Sequence, residues 1–389
     1  MSTGSRFLFV VPPLAGHINP TAAVGAELTA RGHDVAWAGY PGALAPLLPD
    51  GARIFPVLDD AFAQKLATER ERWLTLRGAA VLKFFWEDFV IPLGHAMLPG
   101  AQAAVATFAP DVVIADQQAL AGAVAARQAG IRWATSATTP AELLGPLAVV
   151  PKVDEWVRDQ ITAFQLACGV ADPVDLRFSD HLVLAYTTPA LIGDVSGFGD
   201  HYVFTGPALT ARPDRGAFPW EWLDPERRHL LVSLGTLNGP AGERFFGTAV
   251  EALAGLSQDL QAVIVGPPRD NAPPNILFAG QVPQLALLPH MSAVVTHGGH
   301  NTVCEALACG LPLVVAPIRD DQPIIAQQVA DAGAGVRVRF GRLRPADLGD
   351  AVRAVLDDPS YAAAAGRIRD SFAAAGGAVT AADHLEKLT

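Results

Sequence analysis

The feature that most constrains the fold is a repeated alternation of short apolar runs with helical patterns. The runs Phe7–Val11 and Val112–Ala115 are continuous in apolar residues, which is typical of parallel strands covered on both faces. Each leads into a helical pattern. Asn19 and Pro20 predict the N-cap and first-turn proline of the first helix, which is helical from Thr21, and the two patterns end at Gly32 and Gly130. Because strands that alternate with helices connect through right-handed crossovers, the sequence predicts mostly parallel α/β sheets. The predicted strands are Phe7–Val11, Val35–Ala38, Val112–Ala115, Ile131–Thr135, His181–Tyr186, His229–Leu234, Ala262–Val265, Ile276–Phe278, Ala293–Thr296, Pro312–Ala316 and Val336–Val338.

The alternation occurs twice, on either side of a proline-rich segment. Residues 207–226 carry regularly spaced prolines without apolar periodicity, which is typical of an inter-domain linker. We therefore predict two Rossmann-like domains, an N-terminal one over 1–206 and a C-terminal one over 227–389, that face each other across a cleft. The pattern is helical after Pro345, and we leave open that the terminal helix packs back on the first domain.

Composition narrows the classes of ligand and the cellular location. A formal net charge of -11 argues against nucleic acid and anionic membranes, although a helix N-terminus can still bind a diphosphate locally. Cys168, Cys304 and Cys309 form no CxxC pair, so we expect neither a disulfide framework nor a zinc site. The sequence shows no apolar run of about 18 residues, so we expect no stable membrane insertion and predict a cytoplasmic protein.

Two residues at predicted strand ends suggest acid–base chemistry. His17 lies in the loop 15–20, after the first strand, and Asp116 follows Val112–Ala115. Ligands of open α/β sheets bind at the carboxyl ends of strands, so a neutral His17 could accept the proton of an attacking hydroxyl while Asp116 fixes its tautomer. The alternatives are that His17 caps its loop and that Asp116 caps the following helix.

A denser polar region lies in the second half of the chain, between Gln281 and Gln322. Here the strand Ala293–Thr296 runs into His297, two glycines and a helix that begins near Asn301. The glycines allow close backbone approach, and a helix N-terminus attracts an anion. This region therefore predicts a phosphate site. Glu305 on that helix suits a ribose diol, and Asp321 with Gln322, after the next strand, suits the hydroxyls of a sugar.

Three segments of the chain resemble the family 1 glycosyltransferases, which have the GT-B fold. Residues 281–322 resemble the nucleotide-sugar signature of that family, residues 15–20 its N-terminal catalytic loop, and residues 233–236 its S-x-G-T segment. The likeness spans nearly the whole chain in the right order. His300 stands where plant members carry tryptophan, so the resemblance is to the bacterial macrolide and antibiotic branch.

This resemblance implies a role for each matching residue. His17 would be the general base and Asp116 its partner. The implied donor-binding residues are Ser233, Thr236, Val282, Gln284, His297, Gly299, Asn301, Thr302, Glu305, Asp321 and Gln322. Two positions depart from the family pattern, because Gln281 replaces the tryptophan that stacks on the base and Ile325 replaces an asparagine that follows the Asp-Gln pair.

The implied reaction is inverting transfer of a hexose, with glucose favoured, to a hydroxyl of a small apolar natural product such as a polyketide, macrolide, flavonoid or terpenoid. UDP-glucose is favoured over dTDP-sugars as the co-substrate, and no cofactor is expected. The absence of a DxD triplet predicts that no metal is needed. For the acceptor, the family builds its pocket from variable N-terminal helices, where this chain has the aromatic residues Phe84, Phe85, Trp86 and Phe89. Core packing is the alternative for each of them.

Two other functions and the oligomeric state are left open at this point. A non-catalytic sugar-nucleotide-binding protein of the same fold would keep the signature region without needing the base. A phosphorylase would need a lysine for pyridoxal phosphate in the C-terminal domain, where the sequence offers only Lys387 in its terminal tail. We expect a monomer or a homodimer that binds a sugar nucleotide and a small apolar acceptor.

Overall fold

A computed structural model describes residues 4–145, 150–209, 218–235, 239–269 and 271–389. The chain divides into two compact units. Unit 1 comprises Met1–Tyr186, Gly197–Thr210 and Gly376–Thr389, and unit 2 comprises Thr187–Ser196 and Ala211–Ala375. The residues 210–217, within the predicted linker, lie outside the described part. Because each unit is built from separate segments, the chain passes between the units more often than a single linker implies.

The sheet of unit 1 has seven parallel strands among the described residues, in the order β3-β2-β1-β4-β5-β6-β7. The predicted parallel α/β organisation is confirmed. The sequence did not reveal the two edge strands, because they are only four and three residues long and partly exposed. The strands are β1 (Arg6–Val10), β2 (Asp34–Gly39), β3 (Arg53–Pro56), β4 (Val112–Asp116), β5 (Arg132–Ala137), β6 (Val183–Ala185) and β7 (Tyr202–Phe204).

The described part of unit 2 contains a second parallel sheet, with six strands in the order β10-β9-β8-β11-β12-β13. In both sheets the first strand of the unit pairs with a later strand on its other side, which creates a topological switch point. The strands are β8 (Arg228–Ser233), β9 (Leu260–Val265), β10 (Ile276–Ala279), β11 (Ala293–Thr296), β12 (Leu313–Val315) and β13 (Gly335–Arg337).

Helices connect most successive strands, whereas β9 is followed by β10 with no helix among the described residues between them. The tail is helical after Pro345, as predicted. The helices of the described residues are α1 (Ala15–Ala30), α2 (Pro41–Leu44), α3 (Asp60–Thr75), α4 (Ala79–Phe84), α5 (Ile91–Phe108), α6 (Leu120–Ala129), α7 (Pro151–Ala167), α8 (Pro189–Ile192), α9 (Gly239–Ala254), α10 (Gln284–Leu287), α11 (His300–Ala308), α12 (Gln322–Asp331), α13 (Pro345–Asp357), α14 (Pro359–Ala375) and α15 (Gly377–Glu386).

The start of α1 differs from the sequence prediction. Asn19 and Pro20 predicted an N-cap and a first-turn proline, with the helix beginning at Thr21, and this prediction is wrong. The helix begins at Ala15, after Leu14 in an extended conformation, and Pro20 lies inside it. Pro20 is close enough to the helix start to remove one hydrogen bond without ending the helix. His17 therefore sits in the first turn of α1.

One long apolar helix crosses unit 1. A π-helical segment, Phe85–Val90, joins α4 to α5, so that Ala79–Phe108 is continuous. By length and composition this helix could cross a membrane, with a mean hydropathy of 1.3, and 44% of its most apolar window is buried. The sequence analysis expected no apolar run of about 18 residues and missed this helix, because charged residues interrupt its first turns. Its buried face packs on β1 and α6, which accounts for its apolar character.

Candidate functional site

The first group of candidate residues lies at the switch point of unit 1. Here β1 pairs with both β2 and β4, so the carboxyl ends of β1 and β4 are neighbours. His17 follows β1 in the first turn of α1, and Asp116 is the last residue of β4. Ligands of doubly wound sheets bind outside this edge, where the strand order reverses.

The structure brings His17 and Asp116 into direct contact. The His17 Nδ1 atom lies 3.0 Å from both carboxylate oxygens of Asp116. The Asp116 side chain is fully buried, and that of His17 is 12% exposed. A carboxylate accepts only, so this contact holds the proton of neutral His17 on Nδ1. Nε2 is then the nitrogen with a lone pair, and it is the one that can accept a proton.

Thr138 belongs to the same group, although sequence analysis did not select it. Its hydroxyl donates to Asp116 Oδ2 over 2.6 Å and lies 2.7 Å from His17 Nδ1. The backbone N–H of Gln118 donates to the other carboxylate oxygen over 2.9 Å. Asp116 thus accepts a hydrogen bond from the turn before α6 in addition to its contact with His17. Thr138 follows β5, the neighbour of β4, whereas the predicted strand ended at Thr135, so the sequence did not mark Thr138 as a strand-end residue.

The second group lies at the switch point of unit 2, where β11 pairs with β8. Thr296 is paired with Ser233, so these two strands end side by side. His297 comes directly after β11, and Gly299 is the N-cap of α11. A helix that starts at such an edge directs backbone N–H groups and the positive end of its dipole at a ligand.

His297 is enclosed by glycines and is 6% exposed. A Cβ on Gly235 would lie 2.7 Å from His297 Cε1, and one on Gly299 would lie 2.7 Å from Nε2. Gly235 also has a φ of 71°, which favours glycine. Burial lowers the pKa of His297 to about 4, partly offset by a hydrogen bond with the backbone of Ser233. His297 is therefore neutral at pH 7 and acts as a hydrogen-bonding group without charge.

Glu305 and Gln284 contact each other in unit 2. Glu305 is buried on α11, and its Oε2 accepts a hydrogen bond from Gln284 Nε2 over 2.5 Å. Gln284 is the first residue of α10, which follows Val282 and Pro283 in the connection after β10. The amide of Gln284 thus holds the Glu305 carboxylate in place on α11.

Asp321 and Gln322 begin α12, after β12. Gln322 is buried, and its Oε1 accepts hydrogen bonds from the backbone N–H groups of Ile318 (2.9 Å) and Arg319 (3.1 Å). Its oxygen is therefore used to hold the loop, and its NH₂ group is the end that can serve a ligand. A donor from Gln322 and an acceptor from Asp321 would together suit a hydroxyl-rich molecule.

The remaining predicted residues differ in their surroundings. Asn301 and Thr302 lie half-buried in the first turn of α11, and Ser233 is buried at the end of β8. Thr236 lies outside the described residues. Among the residues that the structure describes, no three His, Cys, Asp or Glu side chains are grouped so that they could hold a metal ion.

The four aromatic residues of the predicted acceptor pocket divide into two pairs. Phe84 and Trp86 are buried in the core of unit 1, at 6% and 3% exposure. Phe85 and Phe89 are half-buried, with ring centroids 5.9 Å apart. The π-helical segment changes the side-chain spacing from that of an α-helix and so separates the two pairs. Phe85 and Phe89 are the two with surface left for a ligand.

Comparison with known proteins identifies relatives across the whole chain. Residues 261–388 match the family described as erythromycin biosynthesis protein CIII-like, C-terminal domain. The chain is 29% identical to 4'-demethylrebeccamycin synthase of Lentzea aerocolonigenes, over 99% of this chain and 100% of that protein. It is 28% identical to the uncharacterized UDP-glucosyltransferase YojK of Bacillus subtilis, over 98% and 96% of the two chains.

A solved structure agrees with these relatives in fold and extent. The glycotransferase of kitacinnamycin superposes with a TM-score of 0.78 at 28% identity, and the match covers 99% of each chain. The match to the erythromycin-type domain covers the second candidate group from His297 to Gln322. These matches support a bacterial natural-product glycosyltransferase of family 1, and the chain has the GT-B fold of its structural neighbours.

Proposed function

We propose that this glycosyltransferase moves glucose from UDP-glucose to a hydroxyl of a small, largely apolar natural product, with inversion at the anomeric carbon. The acceptor oxygen forms the new bond to the anomeric carbon as the bond to the diphosphate oxygen breaks. The nucleoside diphosphate leaves with that electron pair, and the acceptor proton moves to His17 Nε2. A cytoplasmic location and a monomeric or homodimeric state stay predictions of the sequence.

The observation that carries the proposal is the contact of His17 with Asp116. A buried carboxylate 3.0 Å from Nδ1 fixes the ring and stabilises the imidazolium that forms when Nε2 takes a proton. A protein that only bound sugar nucleotides would have no use for this arrangement. The non-catalytic alternative therefore has less support, and the first experiment below separates the two.

For the donor, we propose that the N-terminus of α11 and neutral His297 hold the diphosphate, with Ser233, Gly299, Asn301 and Thr302. Oriented backbone N–H groups stabilise a developing negative charge without reorganising during the reaction. Glu305, held by Gln284, would bind the ribose diol, and Val282 would line the nucleoside site. The contribution of Thr236 stays a prediction from the family resemblance.

The first test of the proposal is His17→Ala. Loss of a general base lowers turnover by about 10²–10⁴-fold. We expect kcat to fall in this range while the Kd for UDP, measured by calorimetry, stays unchanged, since the substitution leaves the donor group intact. A folded His17→Ala protein that turns over at the wild-type rate would contradict the base role.

A matched pair of aspartates at the two ends of β4 provides the control. Asp116 ends the strand beside His17, whereas Asp111 lies just before its start and accepts a hydrogen bond from the backbone N–H of Arg6 over 2.7 Å. We expect Asp116→Asn to lower kcat and Asp111→Asn to leave it unchanged. If the wild-type protein itself shows no transfer across a panel of sugar nucleotides and acceptors, the non-catalytic alternative is favoured.

The second test concerns the donor sugar. Asp321 can accept and Gln322 can donate, so a sugar without hydroxyls leaves polar groups unpaired, which costs about 1–3 kcal/mol, or roughly tenfold to a hundredfold in selectivity. We expect kcat/KM to be highest for UDP-glucose, and to be lower for a dTDP-2,6-dideoxyhexose than for dTDP-glucose, a comparison in which only the sugar differs. Asp321→Asn should reduce this preference, and Asp331→Asn, at the far end of α12, should not. Equal use of the dideoxy sugar would contradict the assignment of glucose.

A further inference from the structure

The hydroxyl of Thr138 touches both members of the His17–Asp116 pair. It lies 2.6 Å from Asp116 Oδ2 and 2.7 Å from His17 Nδ1, and the residue is 5% exposed. We infer that Thr138 is a positioning residue for the base, and that it fixes the carboxylate and the imidazole together. The inference rests on the proposed role of His17 and adds a third residue to it.

The proton count of the three groups supports one arrangement. A threonine hydroxyl has one proton and two lone pairs. Since Asp116 can only accept, the hydroxyl donates its proton to Oδ2 and turns a lone pair toward His17 Nδ1. The N–H of His17 then meets the carboxylate and the hydroxyl oxygen together. If the His17 proton were on Nε2, the lone pair of Nδ1 would face the Asp116 carboxylate oxygens at 3.0 Å, so the contacts favour the proton on Nδ1 and leave Nε2 as the base.

The backbone holds Thr138 firmly in this position. Ser136 is the register partner of Asp116 on neighbouring strands, and the N–H of Thr138 donates to the Ser136 carbonyl over 3.1 Å. The next residue, Thr139, is bonded through its N–H to the side chain of Gln117 over 3.1 Å. Both ends of the short turn after β5 are therefore tied to the edge that carries Asp116.

This arrangement has a consequence for the reaction. When His17 takes the acceptor proton, the imidazolium gains from each acceptor that faces Nδ1. Without the hydroxyl, the buried carboxylate loses a donor and the imidazole loses an acceptor, so the base is both less well aligned and less well stabilised. The effect belongs to the chemical step and leaves donor binding untouched.

The test is a pair of substitutions at Thr138 in two backgrounds. Thr138→Val removes the hydroxyl at nearly constant volume, and Thr138→Ser keeps it. The matched control is Thr205→Val, which removes the hydroxyl of an equally buried threonine of unit 1 that donates to the Gly206 carbonyl over 2.8 Å. Each is made in the wild type and in His17→Ala, and kcat, KM for the donor and Tm are measured.

We expect Thr138→Val to lower kcat by about tenfold or more, with KM for the donor unchanged, because hydrogen bonds to charged groups contribute on that scale. Thr138→Ser should restore most of the rate, and Thr205→Val should change it little. In the His17→Ala background, Thr138→Val should have no further effect, since residues that act as a unit are not additive.

Two results would overturn the inference. One is an unchanged kcat in Thr138→Val, and the other is a loss of the same size in both backgrounds, which would indicate a structural role alone. The proposed function fails separately, through a His17→Ala protein with wild-type kcat. A His17→Ala protein whose kcat is lowered as expected, together with an additive Thr138→Val loss, would contradict only the role of Thr138.

Discussion

His297 illustrates how a single buried residue links the site to stability. Burial lowers its pKa from 6.5 to about 4 in the folded chain. In the unfolded chain the imidazole is exposed and takes its proton near pH 6.5. As the pH falls below 6.5, protons therefore bind the unfolded state first and favour unfolding. The stability conferred by neutral His297 is complete above pH 6.5 and is lost between 6.5 and 4.

We therefore expect the free energy of unfolding to fall more steeply with acid in the wild type than in His297→Gln. Integrated from pH 6.5 to 4, the difference is on the order of 3 kcal/mol, at 1.36 kcal/mol per pKa unit. Urea unfolding at several pH values, followed by tryptophan fluorescence, measures it. Comparing the two proteins cancels the contribution of the other histidines. If the two plots of unfolding free energy against pH are parallel, His297 does not titrate in this way.

Single site residues could be predicted from the sequence where the role of a residue depends on the end of its own strand. His17 and Asp116 were selected because each follows an apolar run, and carboxyl ends of parallel strands face ligands. Thr138 escaped selection because its role depends on the adjacency of β4 and β5 and on the register of Asp116 with Ser136. The bond of Gln284 to Glu305 was hidden for the same reason, since it joins separate elements.

At the scale of elements, α15 shows how a terminal helix contributes to unit 1. Arg31, at the end of α1, bonds to Asp383 over 2.7 Å and to Glu386 over 3.0 Å. The Nε2 of His33 lies 2.8 Å from Glu386, and this hydrogen bond is the main reason that the pKa of Glu386 is lowered. These polar contacts surround an apolar face whose central residue is Leu385.

Leu385→Ala is expected to destabilise unit 1 by about 2–5 kcal/mol, because it removes a fully buried leucine and leaves a cavity beside α1. Val379→Ala is the control on the same helix, since Val379 is 49% exposed and should change stability little. Chemical unfolding of the two proteins gives the comparison. Equal effects from the two substitutions would mean that the α15 face is not part of the folded core.

The elements themselves were predictable to different degrees. Buried strands such as β4 and β11 have continuous apolar runs, and the sequence found them. The start of α1 was misjudged because Asn19 and Pro20 have the local pattern of a helix start, whereas the hydrogen bonds of His17 and Ile18 N–H to the Leu14 carbonyl begin the helix a turn earlier. At this helix start, the tertiary structure overrides the local N-cap preference of Asn19 and Pro20.

For the whole molecule, the two-sheet fold followed from the alternation of elements, whereas the path of the chain did not. The sequence suggested one linker over 207–226 and left open that the terminal helix packs back on the first domain. The structure assigns Thr187–Ser196 to unit 2 and Gly376–Thr389 to unit 1, so each unit is built from separate stretches of chain. No local pattern marks these passages, because they depend on which core the segment packs against. The segment α8, for example, packs on α12 and α14 within unit 2.

The charge of the whole molecule leads to the last prediction, which concerns metal. A sugar nucleotide brings a diphosphate to a chain whose net charge is -11, so its negative charge needs local compensation. Many enzymes supply it with a divalent ion held by carboxylates. The donor site proposed above consists instead of a helix N-terminus and a neutral histidine, and the described residues contain no three-ligand cluster of His, Cys, Asp or Glu.

We therefore expect transfer to proceed at an unchanged kcat in excess EDTA, because the N-terminus of α11 compensates the charge that develops on the leaving diphosphate. Binding of UDP should instead depend on the residues at the start of α11. Gly299→Ala would put a Cβ 2.7 Å from His297 Nε2 and should weaken UDP binding, whereas Gly247→Ala, on α9 with open space around it, should not. Both Kd values are measured by calorimetry in EDTA. Activity that is lost in the chelator and restored by magnesium or manganese would show that a metal ion, and not the helix, supplies the positive charge.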